Sequence, residues 1–328
     1  MKDSTSRRTT RARTLIALGI GLAVLGGGTT WLLLGRENAV PCNGLPGNER
    51  VRTSLGAAVQ PDMSCAAFGE AVMRTTVGER PGVHTEAQAR ALKDVLVALD
   101  SWESKSVDLD PALRAPLATA LADYAPDLHA MLGGNDADYI TKAGPNTPPW
   151  ESEGTHHIAV FPSTLTKVLR AIAEDPDAYA VLRMAETRSA AQRLAAVPAQ
   201  ASGHALTVPP TESARALGTL DGVADLVTRS RNDEQARAWR ATVVDELLRE
   251  PAATGGLDDG AAADLIEAWL NALKATPESR RAERLSTQAV DLARAWAEGR
   301  KADSAATGEL LEKVQKSHST ARQEVTAP

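Results

Sequence analysis

The run Asp110-Pro111-Ala112-Leu113-Arg114-Ala115-Pro116-Leu117-Ala118-Thr119-Ala120-Leu121-Ala122-Asp123-Tyr124-Ala125-Pro126-Asp127-Leu128-His129-Ala130-Met131-Leu132 decides the fold class. Asp110 offers a side-chain oxygen to the free N–H groups of a first helical turn, and Pro111 suits the first helical position because its missing N–H would be unpaired there anyway. Leu113, Leu117 and Leu121 then recur at i, i+4 and i+8, one face of an α-helix. Pro126 kinks or restarts the helix before Leu128 and Leu132, and Gly133-Gly134 ends it.

The same grammar extends in both directions. Thr85-Glu86-Ala87-Gln88 is a capping box ahead of Ala89, Leu92, Val95, Leu96 and Leu99. Ser163 opens a helix carrying Leu165, Val168, Leu169 and Ile172, and Asp175-Pro176 repeats the cap-plus-proline signature for a longer helix to about Leu194. After a Gly/Pro/Ser connection from Pro198 to Pro210, Thr211 caps a stripe of Leu217, Leu220, Val223, Ala224 and Val227. That helix breaks at Ser230 to Asp233 or runs on through Trp239, Val243, Val244, Leu247 and Leu248. Pro251 to Gly260 is a loop. Leu265, Ile266, Trp269, Leu270 and Leu273 form the next stripe. Thr276-Pro277-Glu278 starts one helix that reaches Trp296, and Leu310, Leu311 and Val314 carry a final short one.

No segment shows sustained strand alternation; His157 to Phe161 is the one short apolar run that suits an extended chain. Each stripe is one-sided, so the expected fold is all-α, a multi-helix bundle or array with the tryptophans filling an Ala-rich core. No repeat of 30–45 residues is visible, so a regular solenoid is not supported.

Composition agrees. Of 328 residues, 43% are hydrophobic and 24% charged, enough for a packed core and too apolar for wholesale disorder. Aromatics are 3%, too few for a sheet protein built on aromatic cross-strand pairs. The formal charge of −6 argues against a nucleic-acid partner.

Residues 14–34, Thr14 to Leu34, carry no formal charge. As a helix they span roughly 31 Å, against a hydrocarbon thickness of about 30 Å. Lys2, Arg7, Arg8, Arg11 and Arg13 precede the run, offset by Asp3, whereas Arg36 and Glu37 follow it. Positive flanks stay in the cytoplasm, and Trp31 sits where an interfacial indole belongs. The reading is a single transmembrane helix with a cytoplasmic N-terminus, placing the protein in the cell membrane and its C-terminal domain outside. Three alternatives fit less well. A cleaved signal peptide would cut after Ala39 with Glu37 at −3. A lipoprotein would acylate Cys42 directly after Pro41. Twin-arginine export at Arg7-Arg8 lacks apolar followers. Ala17/Gly21, Gly19/Ala23 and Ala23/Gly27 are small-xxx-small pairs suited to self-association in the bilayer.

The expected organisation is a basic cytoplasmic tail (1–13), the membrane helix (14–34), a juxtamembrane linker (35–62), an extracytoplasmic helical domain (63–316) and a disordered tail (317–328). The two cysteines, Cys42 and Cys65, lie beyond the span; in an oxidising compartment they form one disulfide.

Candidate chemistry concentrates in the irregular connection 133–162. It contains Gly144-Pro145, Pro148-Pro149-Trp150 and Glu151-Ser152-Glu153-Gly154-Thr155-His156-His157. Glu151, Glu153, His156 and His157 are residue types that ligate divalent metals or carry protons. The competing readings are a solvated connecting loop and a partner-binding loop around Trp150. No G-x-S-x-G elbow, phosphate-binding loop, dinucleotide fingerprint or EF-hand loop occurs, and nothing calls for a cofactor. Asp177, Tyr179, Asp221 and Asp225 read as cap, packing and solvated residues.

Three pieces carry a resemblance: Asp110 to Leu113 with Leu121 to Tyr124 and Asp127-Leu128-His129; Leu165 to Arg170 with Glu174 to Tyr179; and Ala216-Leu217-Gly218-Thr219-Leu220-Asp221-Gly222, whose glycines permit close helix contact. Over about residues 110–230 the chain resembles uncharacterised actinobacterial all-helical proteins, many of which look like companions of ESX-type (type VII) secretion substrates. The resemblance implies a helical module with an envelope or secretion role and a protein partner there. It supplies no catalytic residues. The chain departs from that pattern in its membrane anchor and in lacking a Trp-x-Gly hairpin.

Overall fold

The computed structural model describes residues 41–100, 107–249 and 260–327. The run 14–34 lies outside them, and among the described residues no helix is long and apolar enough to cross a membrane. The described residues form an all-α array of fourteen helices with one small hairpin.

The chain enters through a 3₁₀ segment, Pro41–Gly47, and α1, Glu49–Leu55, capped by Asn48. Cys42 is bonded to Cys65, and Leu45, Val51 and Leu55 are buried with Cys42 in the common core. The expected linker 35–62 is therefore corrected from residue 41 onward: its apolar residues are part of the domain. Cys65 begins α2, Cys65–Thr76, behind the N-cap Ser64.

In α3, Glu86–Asp100, the capping box forms as read: the Thr85 N–H donates to Gln88 Oε1 at 2.8 Å and the Gln88 N–H to Thr85 Oγ1 at 3.3 Å. Asp110 caps α4, Pro111–Asp123, through the Ala112 N–H at 2.9 Å. Pro126 restarts the chain rather than kinking it, giving α5, Ala125–Gly133. The Tyr124 hydroxyl between them donates to the Thr76 carbonyl at 3.1 Å and fixes the joint to α2. The short α6, Ala137–Thr141, and strands β1, Trp150–Ser152, and β2, Thr155–His157, follow.

After α7, Pro162–Ile172, comes the central helix α8, Pro176–Ala195, which packs against α4, α5, α9 (His204–Arg229), α10 (Asp233–Arg249) and α11 (Ala261–Ala275). Its stripe is not one-sided. Ala178, Ala180, Ala185, Ser189, Ala190 and Ala191 are buried on several faces, and their small size lets neighbours approach from most directions. Helix α9 starts at His204, before the expected cap at Thr211, and ends at Arg229 with Ser230 as its C-cap. Asn232 and Gln235 exchange hydrogen bonds of 2.9 and 3.3 Å as a second capping box, so the chain breaks there and does not run on.

The helix expected from Thr276 to Trp296 is two: α12, Glu278–Leu285, and α13, Gln288–Gly299. The Arg183 guanidinium takes the Leu285 carbonyl at 2.7 Å, a cation at a helix C-terminus.

The tail 317–328 requires the largest correction. Helix α14, Ser304–Thr326, runs through most of it, and His318 and Ala321 are buried. It lies against α9 where Gly218 and Gly222 leave no side chain; a Cβ at 218 would stand 2.3 Å from the His318 carbonyl oxygen. Trp239, Trp269 and Trp296 are buried core residues, as expected.

Candidate functional site

The connection 133–162 is folded onto the body. Its hairpin turns at Glu153 and Gly154, both at positive φ (52° and 78°), as a tight two-residue hairpin requires. The register pairs Trp150 with His157, Glu151 with His156 and Ser152 with Thr155. Because side chains alternate, Glu151 and His156 share one face, and Trp150 and His157 share the other.

The four candidate ligands are thus divided. Glu151 and Glu153 are exposed, His156 is paired with Glu151 on the outer face, and His157 turns inward. Among the described residues no group of three or more His, Cys, Asp or Glu side chains is placed to hold a metal. The strand pleat sends adjacent residues to opposite faces, so the four residues do not converge on one point.

What the inner face does contain is Asp127. Its Oδ1 accepts from the Tyr139 hydroxyl at 2.6 Å and pairs with His157 Nδ1 at 2.6 Å; its Oδ2 accepts the Ile158 N–H at 2.9 Å. The hydrogen bond to Asp127 raises the His157 pKa above its ordinary value against the opposing effect of burial. Burial first, and then Asp127, push the Tyr139 hydroxyl far up, so it stays a donor. The Trp150 ring lies 5.0 Å from Tyr139 and 5.5 Å from His157, with Lys142 Nζ 4.6 Å above it.

A second pair holds the same strand, β2, at Thr155 and His156. His84 Nε2 lies 2.8 Å from Asp123 Oδ2; the His84 N–H donates to Thr155 Oγ1 at 2.8 Å, and its carbonyl accepts the His156 N–H at 3.0 Å. The His84 ring stacks on Tyr124 at 3.5 Å. Upstream, Arg50 donates to the Pro145 carbonyl and to Asn146 at 2.9 and 2.7 Å. Lys93, its ammonium pushed down to about 8 by burial, donates to the Lys142 carbonyl at 3.0 Å. The sequence suggests a solvated loop because these partners sit on α1, α3, α4 and α5, out of reach of any local pattern. Asp123 and Asp127 stand four residues apart on either side of Pro126, and that spacing is the signal the sequence offers.

A buried polar network lies elsewhere, on α8, α9, α13 and α14. Arg183 pairs with Asp221 and donates to Gln288 at 2.9 Å and Tyr179 at 3.1 Å, and Asp221 Oδ2 pairs with His318 Nε2 at 2.7 Å. Burial works to raise the Asp221 carboxyl, but Arg183 and His318 overcome it and hold it below the usual range. Burial pushes the Tyr179 hydroxyl up to about 12. Asp221 is thus a buried ion partner, correcting its reading as a cap or solvated residue. Tyr179, Arg183 and Asp221 floor a cleft of about 940 Å³ whose walls include Trp239, Arg240 and Arg322. Arg183 spends its donors on the protein itself, so this network binds helices together.

No protein-family model matches the chain, and no curated protein or solved structure matches it.

Proposed function

We propose that the protein is a bitopic membrane protein whose helical domain lies outside the cytoplasm and works by protein contacts. In this reading residues 14–34 are the anchor, with five basic residues ahead of them on the cytoplasmic side. The observation that carries the proposal is the Cys42–Cys65 disulfide, because such bonds persist in oxidising compartments. Cys42 follows Leu34 by eight positions, so the bond would fasten the domain immediately beyond the bilayer. Interaction is favoured by Ile140 and Phe161, 62% and 48% exposed, at either end of the folded connection. The resemblance over about 110–230 points to the envelope or secretion apparatus as the place of work, and the glycine-rich anchor to self-association.

The test is topological. Alkaline phosphatase fused after Pro328 should be active in intact cells, and the protein should stay with membranes after alkaline extraction. A fusion reporter active in the cytosol alone refutes the proposal. Proximity labelling with the anchor intact then identifies the partner.

The Asp127–His157 pair favours a second reading, an extracytoplasmic hydrolase or ligand-binding protein with its site in the 133–162 connection. A carboxylate that orients an imidazole is the geometry of a general base. Loss of a hydrolytic activity on His157→Ala, with the fold retained, would select this reading over the first.

A further inference from the structure

Beside the large cleft lies a second pocket, of about 360 Å³, between α9, α14 and the turn that joins α12 to α13. The two share Asp225, Ser286 and Arg322, so they meet along the Asp225–Arg322 ion pair. The lining of the smaller pocket is wholly polar. Gln315, His318, Ser319, Arg322 and Gln323 follow one another at helical spacing as a stripe along α14, with more hydroxyls supplied by the α12–α13 turn. Close packing fixes this frame. Gly222 stands one turn before Asp225 on α9, and a Cβ there would come within 3.0 Å of the Arg322 carbonyl oxygen. Asp225 then accepts two bonds from Arg322, from Nε at 2.6 Å and from Nη2 at 2.9 Å.

We propose that this pocket binds a neutral, polyhydroxylated ring, that is, a sugar residue. The charge balance selects the class. An arginine alone would call for an anion, but Asp225 neutralises it and would repel one. A divalent cation would find a single carboxylate, and among the described residues no group of three or more metal ligands exists. An apolar ligand would meet no apolar side chain.

The groups left to recognise a ligand are separate donors and acceptors. Among the described residues nothing pairs with Arg322 Nη1 or with the Gln323 side-chain amide, and the buried His318, its Nε2 spent on Asp221, keeps Nδ1 to offer. A hydroxyl donates and accepts at once, so a ring bearing several of them serves all these groups without carrying charge. The volume of about 360 Å³ lies at the small end of ligand pockets, roughly 300–1,000 Å³, as one ring requires. The adjoining cleft adds Trp239, Val243 and Val244, an apolar surface within reach of a group attached to that ring.

The experiment is saturation-transfer NMR with titration on the full chain in a polyoxyethylene detergent, which has no sugar headgroup. The probes are myo-inositol, methyl β-glucoside and butyl β-glucoside, with inorganic phosphate as competitor. Methyl β-glucoside should bind at millimolar concentration, and phosphate should not displace it. Ser319→Tyr fills the pocket from a partly exposed position of α14 and should abolish binding. Gln323→Ala removes an exposed amide without touching the core and should weaken binding about threefold to tenfold. The butyl chain distinguishes the sources of such a ring. Tighter binding of the butyl glucoside, reversed by Ala241→Trp in the adjoining cleft, marks a lipid-linked saccharide; equal binding of the two glucosides marks a free one. No transfer to any of the three probes up to about 50 mM, wild-type affinity in both pocket variants, or displacement by phosphate would each overturn the proposal.

Discussion

Replacing Gly218 by alanine tests the packing of the C-terminal helix directly. The new Cβ would lie 2.3 Å from the His318 carbonyl oxygen and 3.0 Å from its carbonyl carbon and Cα. These are backbone atoms of α14, so no side-chain rotation relieves the clash. Ordinary contact begins at 3.4 Å, so α14 must retreat by about 1 Å. Overpacking of this kind costs about 1–3 kcal/mol. The retreat also stretches the 2.7 Å bond between His318 and Asp221, a charged hydrogen bond of the class worth about 1.5–3 kcal/mol. Against this, alanine gains up to about 1 kcal/mol over glycine in a helix. Sterics win, and the expected net loss is about 2–3 kcal/mol. Urea unfolding of the full chain in detergent, followed by circular dichroism, measures the loss, and limited proteolysis should release the segment after Ala302 earlier than in the wild type. Gly308→Ala is the control. It lies in the same helix with no atom within 4 Å of a new Cβ, and should stabilise by about 0.5–1 kcal/mol. Gly218→Ala as stable as wild type, alongside a normal control, would refute the docking of α14 on α9.

Asp221→Ala leaves Arg183 buried without its carboxylate and should cost about 3–5 kcal/mol in the same unfolding assay; Arg183→Met with Asp221→Leu should cost less than Asp221→Ala alone. Acid should act through the same carboxylate. Its folded pKa is depressed, so its stabilisation is present above the unfolded value of about 3.9 and disappears as pH falls through the folded one, which thermal unfolding below about pH 5 will follow. Reducing the Cys42–Cys65 bond, which closes a separation of 23 residues, should lower stability by about 3 kcal/mol, read as a shift of the denaturation midpoint with and without reductant.

Local pattern determined much of this protein. The caps at Thr85, Asp110 and Asp175, a break or kink at Pro126 and most of the helical stripes are readable, because capping and amphipathic spacing act within one or two turns. The cysteine pairing was readable because there was one way to pair them. Gly218 and Gly222 announced a close helix contact, but not with which helix. The tertiary structure decided that the partner is the polar tail: His318, Ala321 and Val325 form its contact face only once α9 is beside them, with His318 paired to Asp221. It also decided that α12 ends at Leu285, where a cation 102 positions earlier takes its carbonyl. The hairpin shows the same limit. Glu151, Glu153, His156 and His157 looked like one cluster in the sequence, but the strand pleat separates them, and the carboxylate that His157 meets lies 30 positions upstream on another helix. Spacing along a chain encodes a helix face or a strand face; which distant charge completes a buried pair depends on how the helices pack.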